Sequence, residues 1–266
     1  MQIKFNPLLC LQLIGQFCLA LFQATGKVVM FSAISLSHIV RPPFYFKLIG
    51  HQMINIGYFS LPVVGMTTLF AGMVLALQSY SGISVNLAED TIPSLVVLAI
   101  TRELAPVLAG LMVAGRVGAS IAAELASMRV SEQIDALHTL STNPFKYLIV
   151  PRLLAGFLML PLLVLIGDLI GILGGYLVCV YQLNFNPSVY IERSFDALKI
   201  IGVISGLVKA AAFGFIIALM GCYQGYFSRG GAQGVGSSTT NAVVFSSILI
   251  LIFNYMLGLS QKWMIG

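Results

Sequence analysis

Charge is what this 266-residue chain has least of. Only 9% of its residues are charged, where an ordinary soluble domain carries roughly a quarter, and 58% are apolar. That balance excludes a soluble globular domain, which needs a charged surface. Other absences narrow the chemistry. Cys10, Cys18, Cys179 and Cys222 are scattered through apolar stretches with no CxxC spacing, so neither a zinc site nor a disulfide framework is indicated, and buried free thiols are expected. His38, His51 and His138 are too dispersed for a zinc signature, and no Ser or Cys stands in a nucleophile motif. Nothing signals catalysis, a metal or a cofactor belonging to this chain. The run Gly230-Gly231-Ala232-Gln233-Gly234-Val235-Gly236 is followed by no Lys-Ser or Lys-Thr pair and preceded by no strand pattern. It reads as a flexible loop rather than a phosphate loop. Internal repeats and low-complexity tracts are also missing.

What is present is a series of long charge-free windows. A helix crossing the hydrocarbon needs about 20 apolar residues. Lys47 to Glu89 contains no charge, Arg152 to Glu192 only Asp168, Lys199 to Arg229 only Lys209, and Arg229 to Lys262 none. These windows hold four spans. A fifth lies between Asp90 and Arg116, interrupted by the adjacent Arg102 and Glu103. The expected fold is an all-α integral membrane protein with about five transmembrane helices. The crossings are drawn at 54–80, 93–119, 149–182, 198–226 and 238–262. In the second, small residues recur at Gly110, Ala114, Gly118 and Ala122, and again at Gly115, Ala119 and Ala123, the four-residue spacing of close helix packing.

Residues 1–53 form a separate amphipathic region ahead of the transmembrane domain, 54–266. Gln12, Gln16, Gln23 and Lys27 fall within one narrow arc of a helix whose remaining surface is apolar, so an interfacial helix is expected there, with a sixth span and a cleaved signal as the alternatives. Pro42-Pro43 breaks the chain before the first crossing. Between the second and third crossings, about 122–141, Arg129, Glu132 and Asp135 share one face while Ala126, Val130, Ile134 and Leu137 share another. This is a short amphipathic helix too polar to span, ended by Asn143-Pro144.

Lys4, Lys27, Arg41, Lys47, Arg129, Lys146, Arg152 and Arg229 fall on one side of the spans, and Arg193, Lys199 and Lys262 on the other. The positive-inside rule then puts the N-terminus and the short charged helix in the cytoplasm. The net charge of +5 is a topology signal, not a sign of nucleic-acid binding.

Ionisable groups within spans are functional candidates by default. Arg102 and Glu103, as neighbours, point about 100° apart, so each is expected to meet a partner on another helix or in a water-filled cavity. Lys209 stands alone in the fourth span, as a contact for a lipid phosphate or carboxylate or as a partner of Glu103. Asp168 precedes the glycines Gly171, Gly174 and Gly175. Arg116 and Glu124 read as charges at a helix end. Together these leave open a lipid-handling membrane protein, a structural ion pair and an ion-coupled secondary transporter.

The segments Thr101-Arg102-Glu103-Leu104-Ala105-Pro106-Val107, Ala114-Gly115-Arg116-Val117-Gly118 and Ala123 through Leu137 resemble the MlaE permease family, a likeness that continues through Asn143-Pro144, Val150-Pro151-Arg152, the Gly171 to Tyr176 glycines and Thr239 through Val244. The resemblance implies a permease subunit of an ABC transporter moving phospholipids between membranes, in the maintenance of outer-membrane lipid asymmetry. It implies a homodimer in a bacterial inner membrane, enclosing a lipid cavity. It further implies a separate ABC ATPase subunit that uses ATP and Mg, an Mce-domain lipid-binding protein and a small STAS-type regulatory protein. Carried over by position, Arg102, Glu103 and Lys209 line or support the cavity, with Tyr80 a weaker candidate. Arg129, Glu132, Gln133, Asp135 and Leu137 belong to the helix that couples the ATPase to the membrane spans.

Overall fold

The computed structural model describes residues 7–39, 41–42, 45–83 and 85–265, without side chains at 7–14, 17–18, 20–21, 85–86 and 260–265. Lys4 and the side chains of Cys10, Gln12, Cys18 and Lys262 therefore lie outside the described residues. The regular structure described is entirely helical: α1 Pro7–Ile39, α2 Phe46–Gly57, α3 Leu61–Gly82, α4 Val85–Ala99, α5 Ala105–Val113, α6 Ala119–Val130, α7 Gln133–Thr139, α8 Val150–Tyr181, α9 Pro187–Ala197, α10 Ile200–Tyr226 and α11 Gly231–Ile265. A 3-10 turn, Tyr58–Ser60, joins α2 to α3, and π-helical turns occupy Ile100–Leu104, Ala114–Gly118 and Phe145–Ile149. Pro187 stands in the first turn of α9, where a missing N–H leaves no helical hydrogen bond unmade, whereas Pro106 and Pro151 follow directly on π-helical turns.

Contacts divide the chain into two units, Met1–Phe44 and Tyr45–Gly266. The first contains α1, a 33-residue helix on which Gln16, Gln23 and Lys27 are exposed. The second contains five stretches long and apolar enough to cross a bilayer: Phe46–Gly82, Leu87–Val130, Phe145–Tyr181, Ile200–Tyr226 and Gly231–Leu259. These recover the five expected crossings, several of them longer. The second runs on to Val130 because the Leu125 Cβ and the Ala122 carbonyl pack directly against Gly225 of α10.

Glycine sets how closely these helices approach, because the membrane supplies little hydrophobic drive between them and packing must do the work. A Cβ built at Gly72 of α3 would overlap the carbonyl oxygen of Gly171 on α8, and one at Gly174 would overlap the carbonyl of Leu69. Gly156 and Gly214 bring α8 and α10 into the same backbone contact. The two small-residue stripes of the second crossing differ. Ala114 and Ala122 are fully buried, and Gly110 and Gly118 sit against Phe213, Ile217 and Ile250 of α10 and α11, whereas Gly115 faces open space.

One end of the bundle is tied by α9 lying over the start of α4. Asn186 caps α9 by accepting from Ser188 N, Asn186 N donates to Glu89 Oε1 at 2.6 Å, and Arg193 pairs with Asp90 at 2.9 Å. Tyr190 of α9 is buried against Tyr176 with its hydroxyl donating to the Ile172 carbonyl, and burial holds its phenol above the ordinary tyrosine range.

The stretch about 122–141 differs from the single amphipathic helix expected of it. It divides into the end of α6 and the separate α7, because Glu132 adopts the left-handed conformation, φ 58°, and its N–H closes a tight turn to the Arg129 carbonyl. Arg129 and Asp135 then meet across the break at 2.7 Å.

Gly72→Ala should lower stability by about 2 kcal/mol, because its methyl must displace backbone rather than a side chain. Gly50→Ala, with nothing near its Cβ position and a helix interior around it, should be neutral or slightly stabilising. Thermal unfolding of the two variants in the same detergent measures the difference.

Candidate functional site

Pro106 initiates the central constellation. A proline has no N–H to give the carbonyl four residues earlier, and its ring crowds that carbonyl, so the Arg102 oxygen is released from the helical ladder. The helix widens there into the π-turn Ile100–Leu104, a distortion that often marks functional sites because it re-aims side chains. Lys209 of α10 fills the opening. Its Nζ donates to the Arg102 carbonyl at 3.2 Å and to Glu103 Oε1 at 2.6 Å.

Gly202 and Gly206 make this approach feasible. They lie on the same face of α10 as Lys209, at i, i+4 and i+7. A Cβ at Gly206 would overlap the Thr101 carbonyl, and one at Gly202 would stand 3.1 Å from Arg102 Nε. The Lys209 side chain is 0% exposed, whereas that of Glu103 is 47% exposed. The pair is thus a buried cation reached by a carboxylate that also faces outward. Its second oxygen, Oε2, accepts from Asn254 Nδ2 of α11 at 3.2 Å. Arg102 Nε, Ser205 Oγ and Asn254 Oδ1 are buried without hydrogen-bond partners. The half-exposed carboxylate is thus surrounded by polar atoms with unused hydrogen-bonding capacity.

Arg102, Glu103 and Lys209 are therefore brought together. Tyr80 is elsewhere: it packs on Phe185 at 6.0 Å, near the α3–α4 connection, while Glu103 lies about 27 Å further along the helix that begins with α4. Ser205, one turn before Lys209 in the sequence, joins the constellation, and so does Asn254, which sequence reasoning missed; a lone asparagine in the apolar run Ile248–Leu257 was the available signal. Asp168 is buried at 6% exposure with its Oδ1 unpartnered, and no cation among the described residues pairs with it.

Two charges read as helix-end features are struts. Arg116, in the π-turn Ala114–Gly118, donates from Nε and Nη2 to Ser60 Oγ and from Nη2 to the Asn55 carbonyl at 2.6 Å, fastening the second crossing to the α2–α3 junction. Glu124 pairs with Arg152 at 2.8 Å, and Arg152 is buried to 4% exposure. Around the break at Glu132, Glu132, Gln133 and Asp135 are exposed, Leu137 is half-buried and Ile134 is fully buried, which anchors α7 while leaving its charges outward.

The model of the family described as Permease MlaE matches residues 49–259. The chain is 58% identical to a probable ABC transporter permease protein of Rickettsia typhi, with 92% of this chain and 95% of the relative covered. It is 38% identical to a probable ABC transporter permease protein of Synechocystis, over 91% and 89% of the two chains. A third relative, from Pyropia yezoensis and likewise a probable ABC transporter permease protein, is 37% identical over 77% and 78%.

Glu103→Ala should destabilise the protein by about 2 kcal/mol, less than for a fully enclosed pair since Glu103 is half exposed, because it leaves the Lys209 ammonium buried on one carbonyl. Adding Lys209→Met should restore most of the loss. A double-mutant cycle by thermal unfolding measures both, and additive losses would show that the two side chains do not act as a pair.

Proposed function

We propose, from the premise that this chain belongs to the MlaE permease family, that it moves phospholipid as one half of a homodimer driven by a separate ATPase. The chain is the permease subunit of an ABC transporter, a class in which hydrolysis belongs to another polypeptide. Family membership favours ATP-driven transport over the ion-coupled alternative.

The observation that carries the lipid reading is the Arg102–Glu103–Lys209–Asn254 constellation. Glu103 stands about 20 Å along its helix from both Asp90 and Arg116, so it falls at mid-membrane, where charge is expensive and is retained for function. A headgroup there meets Arg102 and the polar atoms around Glu103, while acyl chains lie on apolar helix faces.

Such faces are available. Only 17% of the fifth span is buried within the chain, against 50% of the second, and Val244, Ile248, Leu251 and Tyr255 form an exposed apolar stripe along α11. A second copy meeting this stripe encloses the site from the other side. ATP-driven approach of two ATPase subunits, received at α7 through Glu132, Gln133, Asp135 and Leu137, changes the volume between the copies.

The same reading has α1 in the interface, the N-terminus in the cytoplasm and the complex in a bacterial inner membrane, where it serves outer-membrane lipid asymmetry. An Mce-domain protein receives or delivers lipid and a small STAS-type protein regulates the ATPase.

Purification of the tagged chain in mild detergent, with mass spectrometry of associated proteins and lipids, tests the assembly. An ATPase, an Mce-domain protein and phospholipid should appear together; a chain that comes alone and lipid-free would refute the reading. Glu132→Lys and Asp135→Lys should each reduce ATPase co-purification about tenfold, equivalent to one repulsive contact of ~1.4 kcal/mol, while membrane insertion stays unchanged. Equal ATPase recovery from variants and wild type would remove α7 as the docking element.

A further inference from the structure

A second polar site lies away from the Glu103 constellation. A pocket of about 250 Å³ opens between α2, the Tyr58–Ser60 turn and the second crossing, with Gln52, Asn55, Phe59, Arg116, Ser120 and Glu124 in its lining. Most of these residues are polar, in a chain with 9% charge. We propose that this pocket seats the phosphate of a phospholipid headgroup drawn from the adjoining leaflet, with Arg116 as its cationic contact.

The charge arithmetic supports an anion. Every acceptor of Arg116 is neutral: Ser60 Oγ and the carbonyls of Asn55 and Ile56. Its Nη1 has no partner among the described residues, and no carboxylate lies within ion-pair reach of it. Glu124 lines the same pocket but is engaged by Arg152 at 2.8 Å. The guanidinium is thus fixed in orientation by bonds through Nε and Nη2 while its positive charge stays unbalanced. A guanidinium held this way presents a remaining N–H edge to phosphate oxygens.

Depth supports a lipid source. At 1.5 Å per residue, Asp90 and Arg116 are about 39 Å apart along the second crossing, the thickness of a hydrocarbon core of about 30 Å plus its headgroup margins. Asp90 and its partner Arg193 mark one interface, so Arg116 marks the other, at phosphate level. Phe59, 56% exposed at the pocket's edge, offers apolar surface where the glycerol and acyl chains begin. Glu124 in the same lining disfavours a doubly charged free phosphate relative to a singly charged diester.

This seat requires only that the spans cross a bilayer. It does not depend on transport, and it is read on the resting protein without ATP, so it can fail while the proposed function stands, or survive if that function fails.

The test places a photoreactive residue at Gln52 in the full-length chain in native membranes and scores lipid adducts by mass spectrometry. Exposed, lipid-facing Leu165 serves as the reference position. A phospholipid adduct should form at 52 and fall about tenfold with Ser120→Asp, which sets a carboxylate one turn from Arg116 without removing its struts, while Ser120→Asn keeps it. The adduct at 165 should be unaffected by either change. An adduct at 52 that Ser120→Asp leaves unchanged would overturn the seat. Loss of that adduct in excess orthophosphate would assign the pocket to free anions and overturn the lipid source.

Discussion

A lysine ammonium with no exposed surface, placed in the middle of a membrane span, is the constraint around which the second and fourth crossings are organised. In low dielectric an unpaired ammonium is prohibitive, so Lys209 must find acceptors inside the protein. It finds one in Glu103 and another in the Arg102 carbonyl, which Pro106 has freed from its helix. The close approach demands Gly202 and Gly206 on α10. Proline, π-turn, glycines and ion pair are therefore one device, and each part has a physical reason only in the presence of the others. Because Glu103 is shared between a buried cation and an outward-facing surface, the same interaction that fixes the two helices also presents polar atoms to whatever lies beside them.

The spans were legible in the sequence because membrane insertion depends on a one-dimensional property, the length of a charge-free run. The intramembrane charges were legible for the same reason: Arg102, Glu103 and Lys209 break such runs. What the sequence did not resolve is pairwise. Asn254 lies in an apolar helix with no spacing that ties it to Glu103, 151 residues away. Arg116 and Arg152 look like ordinary helix-end cations until tertiary packing puts α2 carbonyls beside one and Glu124 beside the other. Two small-residue stripes had equal claims on the helix interface, and only the neighbours on α10 and α11 separate Gly118 from Gly115. The break at Glu132 is invisible for a different reason: a glutamate carries no local preference for the left-handed region, so nothing in the residue type announces the turn closed on the Arg129 carbonyl. The likeness to the MlaE permeases, carried by Thr101–Val107 and Ala123–Leu137, supplied what no periodicity contains, namely the family, from which the proposed substrate class and partners are argued.

Past its ties to α9 at Glu89 and Asp90, the second crossing carries three further polar attachments in sequence. At Glu103 it is tied to α10 and α11, at Arg116 to the α2–α3 junction, and at Glu124 to α8 through Arg152. The first two fall within π-turns, Ile100–Leu104 and Ala114–Gly118, where the helical ladder is already interrupted. Beyond the third, α6 continues as regular helix to Val130 and meets α7 through the Arg129–Asp135 pair. Under the proposed function this layout has a mechanical consequence. A displacement received at α7 enters a rigid helical segment that is pinned to a neighbour at Glu124. The π-turns beyond that pin are the places where the helix can change twist without breaking a complete hydrogen-bond ladder. Motion would then be absorbed beside Arg116, whose charge no carboxylate balances, and beside Glu103, where Arg102 Nε, Ser205 Oγ and Asn254 Oδ1 are unpartnered. Coupling and polar recognition thus converge on the same turns, because the irregular backbone that re-aims a charged side chain is also the backbone with the least to lose by moving.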